Sequence, residues 1–155
     1  MRVASSSGGP VPSPKVTDMQ SQLVKQQKYG FSRKIDAAFD EATERTRAAL
    51  GKEGFGILSE IRIDEKLKEK LGVDFRRYVI LGACNPPLAY RTLLEDIEVG
   101  LLLPCNVIVY EADDKNGSVV AAIDPIEMMS MIDNAAIHQV ANEVHERLQK
   151  VIAML

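Results

Sequence analysis

Two short stretches hold the residue types best able to do chemistry, Cys84-Asn85-Pro86 and Pro104-Cys105-Asn106. A cysteine directly before Asn-Pro-Pro sits at the end of a strand and one residue ahead of a helix start. A thiol there feels the positive end of the helix dipole and several unpaired amides. Those conditions stabilise a thiolate, the form that attacks electrophiles, carries a persulfide or binds a metal. Cys105 follows Pro104, which has no amide to give to a sheet ladder. If the two strands are neighbours, the thiols could face each other, although nothing close in sequence ties them together.

A plainer reading stands beside this one. Free cysteine is among the most buried residue types and packs as a small hydrophobe. Asn85 is then a helix cap, and Asn106 satisfies a buried loop carbonyl. His138, Asn142 and His145 share one side of a C-terminal helix. Residues seven apart lie roughly 10 Å apart along a helix axis, too far to chelate one small metal. They read as a solvated or interface edge, with Glu143 and Glu146 as ordinary surface charge. Met128, Met129 and Met131 suit core packing or an adaptable pocket. There is no GxxxxGK[ST] loop, no GxGxxG, no HExxH and no CxxC pair. Ser59, Ser118 and Ser130 lack a nucleophile-elbow context. Nothing in the pattern calls for a cofactor.

The elements that must position these residues follow from periodicity and punctuation. A first strand is expected over Gln26 to Lys34, then a helix capped by Asp36 and ended near Gly51 and Gly54. Phe55 to Ile63 reads as a strand. Asp64 caps a short helix with Leu67 and Leu71 that stops at Gly72, its Lys and Glu runs forming a solvated face. Arg77 to Cys84 reads as a buried central strand. Asn85 with Pro86-Pro87 is a well-formed helix start, since the residue before proline leaves the α region and proline suits the first turn.

Leu101 to Glu111 and Ser118 to Ile123 form a hairpin about Asn116-Gly117. Asp124-Pro125 opens a helical turn to Met131. Asn134 caps a last helix whose Ile137, Ala141, Val144, Leu148, Ile152 and Leu155 make one stripe. The result is an α+β domain: a largely antiparallel sheet with helices on one face.

Composition bounds the function classes. The 155 residues suit one domain, with 19 basic and 22 acidic side chains and a net charge of -3. Residues 1–21, rich in Ser, Gly and Pro, are expected to form a disordered leader, and 22–155 a single domain. The leader carries more basic than acidic groups, so the body keeps the acidic excess. That argues against nucleic acid as a partner, because such binding displaces counterions with basic surface. No membrane partner is expected, since the longest apolar run falls short of the roughly 20 residues a membrane helix needs. Two cysteines without an export signal favour a reduced cytoplasmic setting.

The ordered pair Gly82-Ala83-Cys84-Asn85-Pro86-Pro87-Leu88-Ala89-Tyr90 and Gly100-Leu101-Leu102-Leu103-Pro104-Cys105-Asn106-Val107 resembles the domain-of-unknown-function family 302. Asp124-Pro125 and the helix ending in Arg147-Leu148 fit as well, so the resemblance runs from about Tyr29 to Leu155. It implies a topology similar to the repeat of TATA-binding proteins, and a homodimer. It brings no agreed activity and does not imply DNA binding.

Three functions stay open. The first is a non-enzymatic dimeric module binding a small molecule or partner at Cys84, Asn85, Pro86, Pro104, Cys105 and Asn106. The second is thiol redox or sulfur handling, with Cys84 as thiolate and Cys105 as resolver. The third is a metal site built from both cysteines and completed across a dimer.

Overall fold

The computed structural model describes residues 23–155, so the expected leader lies outside the described residues. Six strands form one antiparallel sheet: β1 (Lys25–Gln26), β2 (Gly30–Ile35), β3 (Gly56–Arg62), β4 (Tyr78–Cys84), β5 (Cys105–Glu111) and β6 (Ser118–Ile123). Their spatial order is β1-β2-β6-β5-β4-β3. The helices are α1 (Phe39–Lys52), α2 (Ile63–Leu71), α3 (Pro86–Glu95), α4 (Pro125–Met128) and α5 (Ala135–Ala153), with 3-10 turns at Ile97–Leu102 and Met129–Met131. The α+β class expected from the pattern is the one observed.

Strand alternation divides the sheet into two faces. Val79, Leu81, Val107, Val109, Val120 and Phe31 are fully buried against α1 and α5. Val140, Val144, Leu148, Val151 and Ile152 of α5 supply the facing side and Leu155 closes it, while Ile137 and Ala141, from the same stripe, pack in a smaller second cluster. On the other face Ile80, Ile108, Val119 and Ala121 are half-buried by one another. Tyr78 and Tyr110 stack there, their ring centres 5.5 Å apart.

Several caps form as their residue types require. Asn134 accepts from the amides of Ala136 at 2.9 Å and Ile137 at 3.1 Å. Gly72 closes α2 in the left-handed region, at φ 69°. Gly117 is required twice over: its φ is 86°, and a Cβ there would run into the Ile35 carbonyl.

Four boundaries differ from expectation, each for a tertiary reason. The first strand is two, because the chain turns at Gln27, whose amide reaches the Gly30 carbonyl at 2.6 Å. Asp36 does not cap α1. The Ser118 hydroxyl holds the Ala37 carbonyl at 2.9 Å, which keeps the chain extended until Ala38. Phe39 then starts the helix, buried beneath the guanidinium groups of Arg62 and Arg77 at 5.0 and 4.6 Å.

Asp64 lies inside α2 and not at its cap. It receives the Arg62 guanidinium at 3.0 and 2.7 Å and the Tyr78 amide at 3.3 Å. Burial pushes this carboxyl up, but the Arg62 and Tyr78 hydrogen bonds outweigh it and hold Asp64 below its usual range. Leu101 to Leu103 are not strand. The Asp96 carboxylate caps the Glu98 amide at 2.9 Å and starts a 3-10 turn that buries Val99.

Candidate functional site

Cys84 ends β4 and Cys105 begins β5, so the two motifs meet at one end of adjacent strands. The register places Cys105 across from Ala83, one residue out of step with Cys84. The cysteines are therefore neighbours without being directly opposed across the ladder. Both are free thiols.

Asn85 terminates β4 as the sequence requires. It is buried, its backbone is extended, and its side-chain oxygen accepts from the Leu88 amide at 3.4 Å. The long distance makes it a weaker cap than Asn134. Gly82, in the first motif, has no room for a side chain. A Cβ would strike the Ser59 hydroxyl and come within 2.9 Å of the Pro104 ring. The two motifs are thus in contact through a glycine and a proline, with the Leu103-Pro104 peptide bond cis.

Between the strand ends and the helices lies a cavity of about 40 Å³. At roughly 10–15 Å³ for each water centre it has room for about three waters. Cys84, Asn85, Pro104 and Cys105 contribute to its wall, together with Ala83 and Phe55. Leu88 and Thr92 of α3 close one side, and Ile137, Val140, Ala141 and Val144 of α5 close another. Ala89, Leu103, Pro125 and Met129 complete it. The lining is almost entirely apolar, because the Thr92 hydroxyl is turned to the Ala89 carbonyl at 2.7 Å.

This environment works against ionised sulfur. Burial pushes the Cys84 thiol above its ordinary value. Burial, and then the proximity of Cys84, push Cys105 up to about 11. Burial thus raises the Cys84 thiol although it adjoins a helix N-terminus. Among the described residues, no group of three or more His, Cys, Asp or Glu converges as a metal site.

Two of the six candidate residues lie elsewhere. Pro86 is exposed on the first turn of α3 and does not line the cavity. Asn106, paired with Gly82, is exposed on the opposite face of the sheet and satisfies no buried loop carbonyl. It borders a shallow depression with Tyr29, Ile108 and Ala121. The reason is the period of two along a strand: Cys105 and Asn106 must point to opposite sides.

Sequence reasoning missed the remaining wall residues as site residues, since Leu88, Val140 and Ala141 carry the same signal as any core position. It also missed a pairing. His145 Nδ1 donates to the buried Asp124 carboxylate at 2.9 Å, and the ring packs edge-on against Phe31 at 5.5 Å. Asp124 also caps α4 through the Ile126 amide at 2.9 Å. His145 is therefore a tie between β6, α4 and α5, whereas His138 is exposed as expected.

The sequence profile of the family described as Domain of unknown function DUF302 matches residues 31–155. The chain belongs to the DUF302 family. A solved structure titled as that of an uncharacterized conserved protein DUF302 from Bacillus stearothermophilus is similar to it, with a TM-score of 0.74 and 31% identity. That match covers 81% of this chain and 97% of the other. No curated protein matches. The DUF302 match begins at Phe31 and takes in both cysteine-asparagine motifs. Among the described residues, no helix of this DUF302 domain is long and apolar enough to cross a membrane.

Proposed function

We propose that this DUF302 domain is a non-enzymatic, dimeric binding module whose ligand seats a small apolar group between the two cysteine-asparagine motifs. The observation that carries this reading is the cavity itself: both motifs form its wall, and its lining is apolar. Its volume is far below the roughly 300 Å³ at which pockets for whole drug-sized ligands begin. The occupant is therefore a neutral group of a few heavy atoms, either a small molecule or the tip of a larger one. Neutral thiols suit such a ligand, since they act there as soft, polarisable walls. A reduced cytoplasmic setting agrees with two free thiols.

The raised thiols weigh against the redox reading, which needs a thiolate. A metal reading would have to draw its further ligands from a second chain. Support for a dimer comes from the family resemblance and from the half-buried apolar face bearing Ile80, Ile108 and Val119. Sheets pack face to face through such surfaces.

Nuclear magnetic resonance with dissolved xenon as the probe tests the cavity, since dry apolar cavities take up xenon. Xenon should shift the resonances of Ala83, Cys84 and Ala141, and Ala141→Val, which fills the space, should abolish the shifts. Shifts that are absent, or unchanged in Ala141→Val, would refute the site. Native mass spectrometry tests the dimer, with Ile108→Lys expected to give monomer. A wild-type chain that is monomeric at tens of micromolar would refute that part.

A further inference from the structure

Away from the cavity, the segments 90–103 and 126–134 fold over a small satellite core of Val99, Met129, Ile137 and Ala141. Their outer surface is unusual for a domain exterior. Leu101, Ile97 and Met131, at 87%, 80% and 76% exposure, are the most exposed large apolar side chains among the described residues. Leu94 and Tyr90 are exposed as well, one turn apart on α3. Scattered apolar side chains are normal on a protein surface, but five on two segments that share one small core mark a candidate contact site.

Carboxylates alternate with these side chains along both segments. Glu95, Asp96 and Glu98 come from one segment, Glu127 and Asp133 from the other. An Asn134–Glu95 hydrogen bond of 3.4 Å ties the two segments together. None of the five makes an ion pair, whereas the acidic groups of α1 and α2 are largely matched to Arg or Lys. The one cation in these segments, Arg91, is held by Glu143 at 3.3 Å. These two segments thus present exposed apolar side chains among carboxylates that no cation pairs.

That charge selects among occupants. A second copy seated by the same patch would bring five carboxylates against five, and like charges across an interface are costly. An anionic membrane or a nucleic acid is repelled for the same reason. What fits is the opposite pattern, an apolar stripe flanked by Lys and Arg. We propose that the surface of Tyr90, Leu94, Ile97, Leu101 and Met131, with its rim of Glu95, Asp96, Glu98, Glu127 and Asp133, docks a basic amphipathic helix of another polypeptide. The apolar stripe supplies the burial, and the basic rim supplies orientation, encounter rate and salt dependence.

The test uses the full chain and a synthetic helical peptide of about five turns, Leu on one face and Lys on the other. A twin peptide carries Glu in place of Lys. Fluorescence anisotropy should show the Lys peptide binding, weakening as salt is raised, and the Glu peptide not binding. The double variant Ile97→Ser/Leu101→Ser should weaken binding about tenfold or more. Charge reversal by Glu98→Lys/Glu127→Lys should abolish it and admit the Glu peptide.

All four substituted side chains are exposed, so circular dichroism should show both variants folded, and the second stands if the first is not. No binding by the wild-type chain would overturn the proposal, as would a Lys peptide indifferent to both variants. So would preferential binding of vesicles rich in anionic lipid, or a wild-type dimer that Ile97→Ser/Leu101→Ser converts to monomer.

Discussion

Cys105 carries the clearest consequence for behaviour in solution. Its thiol is pushed from an ordinary value near 9 up to about 11 by burial and by Cys84. The folded state holds this proton more tightly than the unfolded chain does. The associated stability is complete below about pH 9 and is lost as the pH rises toward 11. At about 1.4 kcal/mol per unit, the loss approaches 2–3 kcal/mol. Chemical unfolding followed from pH 8 to 11 should show this slope, and Cys105→Ala should flatten it. Iodoacetamide should modify Cys105 more slowly than Cys84 at neutral pH, because Cys84 is the less buried. Gly82 gives a second expectation at this scale. Gly82→Ala drives a methyl into Ser59 and Pro104, and thermal unfolding should report a loss of about 1–3 kcal/mol.

Among the elements, the two asparagine caps provide an internal comparison. Asn134 accepts two amides at 2.9 and 3.1 Å, whereas Asn85 accepts one at 3.4 Å. Asn134→Ala should cost about 1 kcal/mol or more, and Asn85→Ala less, if capping is the only role of Asn85. A larger loss at Asn85, measured by denaturant unfolding, would mean that its place in the cavity wall also matters. Asp124 joins three elements, accepting from the Ile126 amide and from His145 while its own amide reaches the Tyr29 carbonyl. Asp124→Ala removes a buried cap and strands the imidazole, so about 2–4 kcal/mol should be lost. His145→Phe in the same experiment separates the cap from the histidine bond.

For the whole molecule, burial is concentrated on one face of the sheet. Helices α1 and α5 seal that face, so truncating a fully buried residue such as Leu148 or Leu81 should cost about 2–5 kcal/mol. The half-buried face with Ile80, Ile108 and stacked Tyr78 and Tyr110 should tolerate comparable changes in a monomer. If it is the dimer surface, Ile108→Lys will change the sedimentation coefficient while leaving the circular dichroism spectrum intact. The segments that carry Leu101 and Met131 rest on a small core of their own, distinct from the sheet core.

The local rules that act within a few residues were legible in the amino-acid order. Asn85 before two prolines, Gly72 after Leu71, and Asn134 ahead of a six-residue apolar stripe determined where α3, α2 and α5 begin or end. The alternation in β4 to β6 and the antiparallel α+β class followed from the same short-range patterns, and the two long motifs gave the family. What required the tertiary structure was everything set by distant partners. Ser118 kept Asp36 from capping α1, Arg62 drew Asp64 into an ion pair, and Asp96 capped a 3-10 turn where a strand was expected from Leu101. The site divided likewise. Residue types named Cys84, Asn85, Pro104 and Cys105, but only the β4–β5 register and the packing of α3 and α5 decided that these share a cavity while Pro86 and Asn106 stay outside. The same packing decided the state of the thiols. A helix terminus can be seen in sequence, whereas the desolvation that raises the thiol depends on which chains close over the sulfur.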